Sequence, residues 1–349
     1  MMYYAQDMEY LINRGYIDWK KICGKKIIIT GSTGMIGKAV TDLLMMASEI
    51  MGLSVMVYAL ARNEKKAKDI FKNYIGNNCF QLIIGDVCSC REYPQADYLI
   101  HAAGYGDPCS FVNDPVGVMQ ANLCGTGILL EHTRKSNARM LFVSTGEVYG
   151  DIKMAEGQQF KGNTEEMFGM LDFNQVRSCY PESKRAAETL CQSYVYQYQA
   201  DVVTGRLCHI YGQTMTERDS RVIAQFFRNV VNREEIILKS DGKQIRSMCY
   251  VVDAVGGILK VLLDGEAGGT YNIANSSSSL SVREIAEKLS DMFGIKIKMQ
   301  EPEKQELRGF SRVSHLVLNS QKLQGLGWVP YTGIQDGMKK TIYDLEESR

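Results

Sequence analysis

Between Lys26 and Thr145 the chain alternates short β-branched runs with helical patterns, and this alternation constrains the fold more than any other feature of the sequence. The order is KIIIT, Met35 to Met51, SVMVYAL, Glu64 to Tyr74, FQLIIGDV, ADYLIHAA, a helix from about Pro115 to Ser136, and RMLFVST. Strands joined through helices lie parallel, because each crossover must return the chain to the same end of the sheet. The expected fold class is therefore α/β, a doubly wound parallel sheet, followed by a smaller mixed α/β region at the C-terminal side.

After residue 145 the regularity gives way to a long polar stretch from Gly146 to Ser178, and loops of that length usually serve a site. A helix opens near Tyr180, the run DVVTGRL is expected to complete the sheet, and REEIILKSDG and KIKMQE read as strands of the smaller region. Helices are expected at Ser281 to Phe293 and Gly333 to Leu345, with the SSSS patch at 276–279 read as a loop leading into a helix capped at Ser281. The division expected is a helical extension at 1–22, a dinucleotide-binding unit at 23–207 with a returning segment near 247–263, and a mainly substrate-binding unit at 208–349. Apolar residues at Met8, Leu11, Ile12, Ile17 and Trp19 make the extension an amphipathic appendage clamped onto the larger body.

Forty basic side chains balance forty acidic ones, which leaves no electrostatic footprint for nucleic acid or an anionic membrane. No apolar run approaches the roughly 20 residues that span a bilayer, and the N-terminus lacks the basic-then-apolar pattern of a secretory signal. Ten cysteines are scattered without a C-x-x-C pair, and four histidines show no ligand spacing, so the reading is reduced thiols in the cytoplasm with no metal site.

The run GKKIIITGSTGMIGK, residues 24–38, passes from a strand into glycines spaced three apart and then into a helix. Gly31, Gly34 and Gly37 let the backbone turn sharply and approach a pyrophosphate. The amides at Thr33, Met35 and Ile36 and the positive end of the helix then favour that anion. In the first position of an alternating series this spacing reads as a Rossmann-type dinucleotide site rather than a bare turn. The second strand ends in Ala61 and Arg62, where an acidic residue would select NAD. Arg62 can instead pair with a 2′-phosphate and points toward NADP. Asp86 and Val87 follow the third strand, where the adenine edge is expected, and Ala102 and Ala103 follow the fourth.

YPESK places Tyr180 and Lys184 four apart, on one face of a helix. A nearby ammonium favours a phenolate, so Tyr180 is expected to be a usable proton acceptor near neutral pH. VSTGEVYG supplies Ser144 and Thr145, hydroxyls able to hold a sugar oxygen, and Glu147, whose carboxylate could act as base, as acid or as a loop cap.

Together TGSTGMIG, HAAG, ANLCGTG, VSTGEVYG, YPESK, GRLCHIYG, RSMCYVVDAV and GGTYNIAN give a chain that resembles the extended short-chain dehydrogenase/reductase family, the nucleotide-sugar epimerases and dehydratases, over about residues 24–345. Within it, DPCSFVNDPVGVMQANLCGT and RSCYPESKRAAETLC look most like the UDP-glucuronate decarboxylases. The resemblance implies a nicotinamide cofactor, NAD by family habit, a nucleotide-sugar substrate and a homodimer built on the helices at 115–136 and 180 onward. It also implies roles for Thr145 (substrate hydroxyl), Tyr180 (base), Lys184 (nicotinamide ribose), Asn122 (support of the site) and Arg246 (diphosphate), with Arg221 nearby and Ser144 and His209 as further substrate-binding candidates. Gly146 departs from the pattern, since the dehydratases carry Asp there and the decarboxylases Ser. His209 stands where Asn is usual, and Gln213 where Pro is usual. All these enzymes first oxidise carbon 4 of the hexose, after which decarboxylation, epimerisation and dehydration remain the alternatives, in that order, with a non-catalytic NADP-binding sensor last.

Overall fold

The computed structural model describes residues 1–152, 161–311 and 313–348, so part of the long polar stretch expected from the sequence, 153–160, lies outside the described residues. The first half of the chain runs α1 (Met2–Asn13), β1 (Lys26–Thr30), α2 (Met35–Met51), β2 (Met56–Ala61), α3 (Glu64–Ile70), β3 (Phe80–Ile84), β4 (Tyr98–His101), α4 (Pro108–Asn113), α5 (Pro115–Gln120), α6 (Thr126–Ser136) and β5 (Arg139–Thr145). It continues through α7 (Cys179–Tyr198), β6 (Val202–Leu207), β7 (His209–Tyr211), α8 (Val222–Val231), β8 (Ile236–Leu238), β9 (Ile245–Tyr250), α9 (Val251–Asp264) and β10 (Thr270–Ile273). The last elements are β11 (Asn275–Ser281), α10 (Val282–Phe293), β12 (Ile297–Met299), α11 (Lys304–Leu307), β13 (His315–Leu316), α12 (Gln321–Gly325) and α13 (Ile334–Glu347).

Seven strands form one sheet in the order β10-β6-β5-β4-β1-β2-β3, every pair parallel. Its centre is apolar on both faces: Ile27, Ile28 and Ile29 of β1 are fully buried, as an inner strand covered by helices on both sides requires. From β1 the chain moves outward to β2 and β3, then returns to the other side of β1 as β4. That reversal opens a crevice at the carboxyl ends of β1 and β4, the position at which open α/β sheets bind ligands. The edge strand beyond β6 is β10, so DVVTGRL does not complete the sheet. The GGTYNIAN run does, because α9 carries the chain back to pair Thr270–Ile273 with Thr204–Leu207.

The second layer is a small sheet in which β9 pairs with β11, β13 and β7. The serines at 276–279 belong to β11 and not to a loop. Ser279 pairs with Ser247 across a register shift, their hydroxyls 3.2 Å apart, and Ser276 meets the Ser320 hydroxyl at 3.0 Å. The cap at Ser281 is present as a reciprocal box with Glu284.

The N-terminal segment is a working part of the core rather than an appendage. Met8 and Leu11 are fully buried and join the main apolar cluster. The Asp344 carboxylate accepts from the amides of Tyr3 (3.0 Å) and Tyr4 (2.7 Å), which caps α1 from the far end of the chain. Asp7 accepts from Tyr250 (2.9 Å) and pairs with Lys340 (2.9 Å), so α1 is bonded to β9 and α13. No helix among the described residues is long and apolar enough to cross a membrane.

Candidate active site

At the β1–α2 turn, Gly31 adopts φ +67°, and a Cβ there would lie 2.6 Å from the Ala102 carbonyl oxygen. A Cβ on Gly37 would come within 2.7 Å of the Ser32 Cα. Two of the three glycines are thus demanded by the turn itself. Gly34 is different: it is the N-cap of a 17-residue helix and offers no side-chain acceptor, so the first-turn amides of Met35, Ile36 and Gly37 point uncapped toward the crevice. The neighbouring Thr33 is half-buried on the same turn. These groups fit a pyrophosphate.

The walls of the crevice follow from the same packing. Thr30 holds the β4 end in place, its hydroxyl meeting His101 Nδ1 (2.8 Å) and accepting from the amide of Ala103 (3.2 Å). Val87 packs on Gly125, where a Cβ would lie 2.8 Å from Val87 Cγ1. Gly125 closes a π-helical turn, Ala121–Gly125, that presents Asn122. Asn122 donates to the Ser183 hydroxyl (2.9 Å), and its Oδ1 is buried with no partner among the described residues. Past β2, Arg62 donates to the Tyr105 hydroxyl at 2.7 Å and stands 3.8 Å from the Asp86 carboxylate, so its charge is already shared.

On the opposite side, β5 delivers Thr145 and the first two turns of α7 deliver Tyr180 and Lys184. Tyr180 stacks on Phe111, centroids 4.6 Å apart and planes inclined by 16°. Its phenol is pushed up to about 12, first by burial and then by Glu147, while a hydrogen bond from Thr145 and the charges of Arg177 and Arg221 pull the other way. The expectation that Lys184 would ionise this phenol is not met: the ammonium donates to the Val143 carbonyl at 2.8 Å and lies over the Phe142 ring. Lys184 is itself brought down to about 8, by burial. Ser144, on the other face of β5, turns its hydroxyl to Glu188, which also binds Arg206, and so does not join Thr145.

Glu147 forms a 2.7 Å ion pair with Arg177, whose guanidinium lies 4.8 Å from the Phe111 ring centroid. The Arg177 Nε is buried with no partner among the described residues. Sequence reasoning passed over Arg177 as a site residue, although its place three residues ahead of Tyr180 was a usable signal. Behind Glu147, the space beside Gly146 is filled by Leu318: a Cβ on Gly146 would lie 2.7 Å from Leu318 Cδ1.

Beyond this pair stand His209, Arg221 and Arg246. Arg221 is fixed by Asp219 (2.6 Å), the Ile210 carbonyl (2.9 Å) and the Met35 sulfur (3.3 Å), so it bridges the cofactor helix and the β7 strand. Burial works against its charge, but Asp219 overrides burial and leaves it more firmly protonated. Among the described residues Arg246 donates to the carbonyls of Ile245, Ser314 and Val313, and burial brings it down to about 10. His209 is held well below the imidazole range by burial and then by Arg246, Arg221 and Arg177. The arrangement is a crevice with a dinucleotide-shaped anion site on one wall, a Thr–Tyr–Lys set on the other, and a cationic floor.

Comparison with known proteins fits this geometry. The family model described as NAD dependent epimerase/dehydratase matches residues 27–274. UDP-glucuronic acid decarboxylase 6 of Arabidopsis thaliana is 31% identical over 315 residues, covering 90% of this chain and 86% of its own. UDP-glucuronic acid decarboxylase 1 of Xenopus tropicalis is 28% identical over 325 residues, covering 91% of this chain and 72% of its own. Among solved structures, the dTDP-glucose 4,6-dehydratase DesIV of Streptomyces venezuelae, with NAD and TYD bound, superposes with a TM-score of 0.78 at 24% identity over 93% of this chain and 98% of that one. UDP-glucuronic acid 4-epimerase of Bacillus cereus, in complex with UDP-glucuronic acid and NAD, gives 0.78 at 18% identity over 93% and 100%. At these identities the two structures share the fold. With the family model covering most of the sheet and a curated relative above 30% identity across nine-tenths of the sequence, the chain belongs to the NAD dependent epimerase/dehydratase family.

Proposed function

We propose that this protein decarboxylates a nucleotide-linked hexuronic acid, UDP-glucuronate being the substrate its curated relatives are named for. The observation that carries the reading is the Gly146–Leu318 contact beside the Glu147–Arg177 pair. Dehydration needs an acid for the departing oxygen as well as a base at carbon 5, and the position that would supply that acid has no side chain and no room for one. A carboxylate leaving as carbon dioxide needs no such acid. The three arginines, only two of which pair with a carboxylate among the described residues, suit a substrate that carries a carboxylate as well as a diphosphate.

A nicotinamide dinucleotide, held by the Gly31–Gly37 turn with Lys184 and Asn122 near its ribose, supplies the hydride acceptor and donor. Thr145 holds the oxygen on carbon 4, and Tyr180, once ionised, takes its proton. The new ketone lies β to the carboxylate, so the bond from carbon 5 to carbon 6 breaks with its electron pair passing into an enolate. Arg177, fixed by Glu147, orients the carboxylate before it leaves, and Tyr180 shares its proton with the enolate oxygen. A proton delivered from solvent to carbon 5 restores the ketone, and Tyr180 gives the carbon 4 oxygen its proton as hydride returns to that carbon, closing the cycle on a pentose nucleotide. A phenol at about 12 needs a further positive charge to work at neutral pH, and in this reading the oxidised nicotinamide ring provides it.

The cofactor proposed is NAD, which several structural neighbours were solved with. Ala61 gives no repulsion toward a 2′-phosphate, so discrimination against NADP rests on Asp86, which already shares the charge of Arg62. The same reading makes the protein a cytoplasmic homodimer formed through the α5–α6 and α7 faces, where Val116 and Tyr196 are exposed apolar surface. The test is product analysis after incubation with UDP-glucuronate, UDP-glucose and dTDP-glucose. Loss of carbon dioxide from the first alone supports the proposal. Loss of water from either neutral sugar, or a 4-epimer of unchanged mass, defeats it.

A further inference from the structure

Among the described residues, His209 is the titratable group on the cationic floor whose ring nitrogen is not committed to a bond. It opens β7, pairing with Met248 of β9, and its Nδ1 is buried with no partner among the described residues. The charged groups that face it come from three other elements: Arg246 on β9, Arg221 at the start of α8, and Arg177 just ahead of α7. Glu147 pairs with Arg177 and Asp219 with Arg221, so three positive and two negative charges surround a neutral ring and leave an excess of one. A nucleoside diphosphate sugar brings two negative charges and a hexuronate brings a third. The bound substrate therefore exceeds what the arginines neutralise.

We propose that His209 takes up a proton when the nucleotide sugar binds and serves as a charge-matching ligand for its anionic groups. The inference rests on the substrate class proposed above. Asn at this position, usual in enzymes this chain resembles, can hydrogen-bond but cannot titrate, so the coupling is a property of His209. In the free protein the surrounding arginines oppose protonation. An anion among them reverses the sign of the local field and favours the imidazolium. Affinity for substrate must then fall as pH rises through the range where only the complex holds the proton.

The experiment is calorimetric titration of the holoenzyme carrying Tyr180→Phe, which blocks turnover, with UDP-glucuronate in buffers of different ionisation heat between pH 5.5 and 7.5. UDP-glucuronate has no group of its own titrating in that interval. Uptake averaging about half a proton is expected, which over two pH units is about a tenfold rise in Kd. The additional variant His209→Asn is expected to bind with no proton uptake and a flat Kd. Binding without uptake in the His209 protein, or equal uptake in His209→Asn, overturns this inference and leaves the substrate reading standing. No binding of UDP-glucuronate to either protein overturns both.

Discussion

Replacing Gly146 by alanine tests the packing argument that separates decarboxylation from dehydration. The added Cβ would lie 2.7 Å from Leu318 Cδ1 and 3.2 Å from Cδ2, so Leu318 must move. It has little freedom: the side chain is fully buried with Tyr149, Ala274 and Leu316, and its amide donates to the Ser247 hydroxyl at 2.9 Å. On either side, Val317 accepts from Asn163 at 2.6 Å and Asn319 donates to Asn163 at 2.9 Å. Overpacking of a site held this way costs about 1–3 kcal/mol. Leu318→Ala alone leaves a cavity and costs about 2–5 kcal/mol. Together the two changes relieve one another, because the new methyl occupies part of the space vacated, and the double variant should be less destabilised than the sum by about 1–2 kcal/mol. Urea unfolding at constant slope reads all three values. Gly146→Asp adds an unpartnered carboxylate to the same apolar contact, should be worse than alanine, and should yield no dehydrated product. Strict additivity, or a stable Gly146→Asp protein that eliminates water from dTDP-glucose, would refute the reasoning.

Other perturbations have equally definite outcomes. Arg177→Ala leaves Glu147 unpaired beside Tyr180 and should lower kcat/KM for UDP-glucuronate by about a hundredfold or more in steady-state assays, whereas a loss under threefold would remove Arg177 from the site. Lys184, 4% exposed, pays for its burial with a folded value near 8 against 10.5, a penalty of about 3 kcal/mol that is full below pH 8, where both folded and unfolded states are protonated. Lys184→Met should therefore abolish turnover yet raise stability at pH 7 by up to about 1.5 kcal/mol, after about 1.5–3 kcal/mol is lost with the charge-assisted Val143 hydrogen bond. Because wild-type stability climbs as pH rises from about 8 to 10.5, that advantage should shrink across the same range in denaturation curves. Asp86→Asn should shift the preference from NAD toward NADP by roughly tenfold in fluorescence titrations, since it removes the carboxylate competing for Arg62. Leu11→Ala should cost about 2–5 kcal/mol in thermal unfolding, as for any core leucine, and a negligible change would return α1 to the status of an appendage.

The alternation of strand and helix was legible because parallel strands buried on both faces need continuous apolar runs, and KIIIT and RMLFVST supply them. The edge strand β10 was hidden because its pairing with β6 depends on α9 crossing back, a long-range event that TYNI does not announce. The four serines of β11 lack β-propensity, and the strand is held by pairing with β9 and by the hydroxyl contacts of Ser279 with Ser247 and of Ser276 with Ser320. Likewise the amphipathic pattern of α1 was visible, but the cap from Asp344, more than three hundred residues away, was not. In the site, Y-x-x-x-K located Tyr180 and Lys184 on one face and misjudged what the ammonium does. Spacing places two side chains together, while the carbonyl of Val143 decides where the charge points. The place of Arg177 three residues ahead of Tyr180 was legible, but its partner was not, because the fold brings it onto Glu147 from thirty residues along the chain.

The central claim is that the carboxylate of a nucleotide-linked hexuronate leaves as carbon dioxide after oxidation at carbon 4. It is tested most directly with UDP-glucuronate carrying an isotopic label in that carboxylate, incubated with the NAD-loaded protein while released gas and nucleotide sugar are both analysed. The account predicts label in the carbon dioxide, an equal quantity of unlabelled pentose nucleotide, and neither product from the Tyr180→Phe protein. Retention of the label in a 4-epimer, or in unreacted substrate, would contradict it.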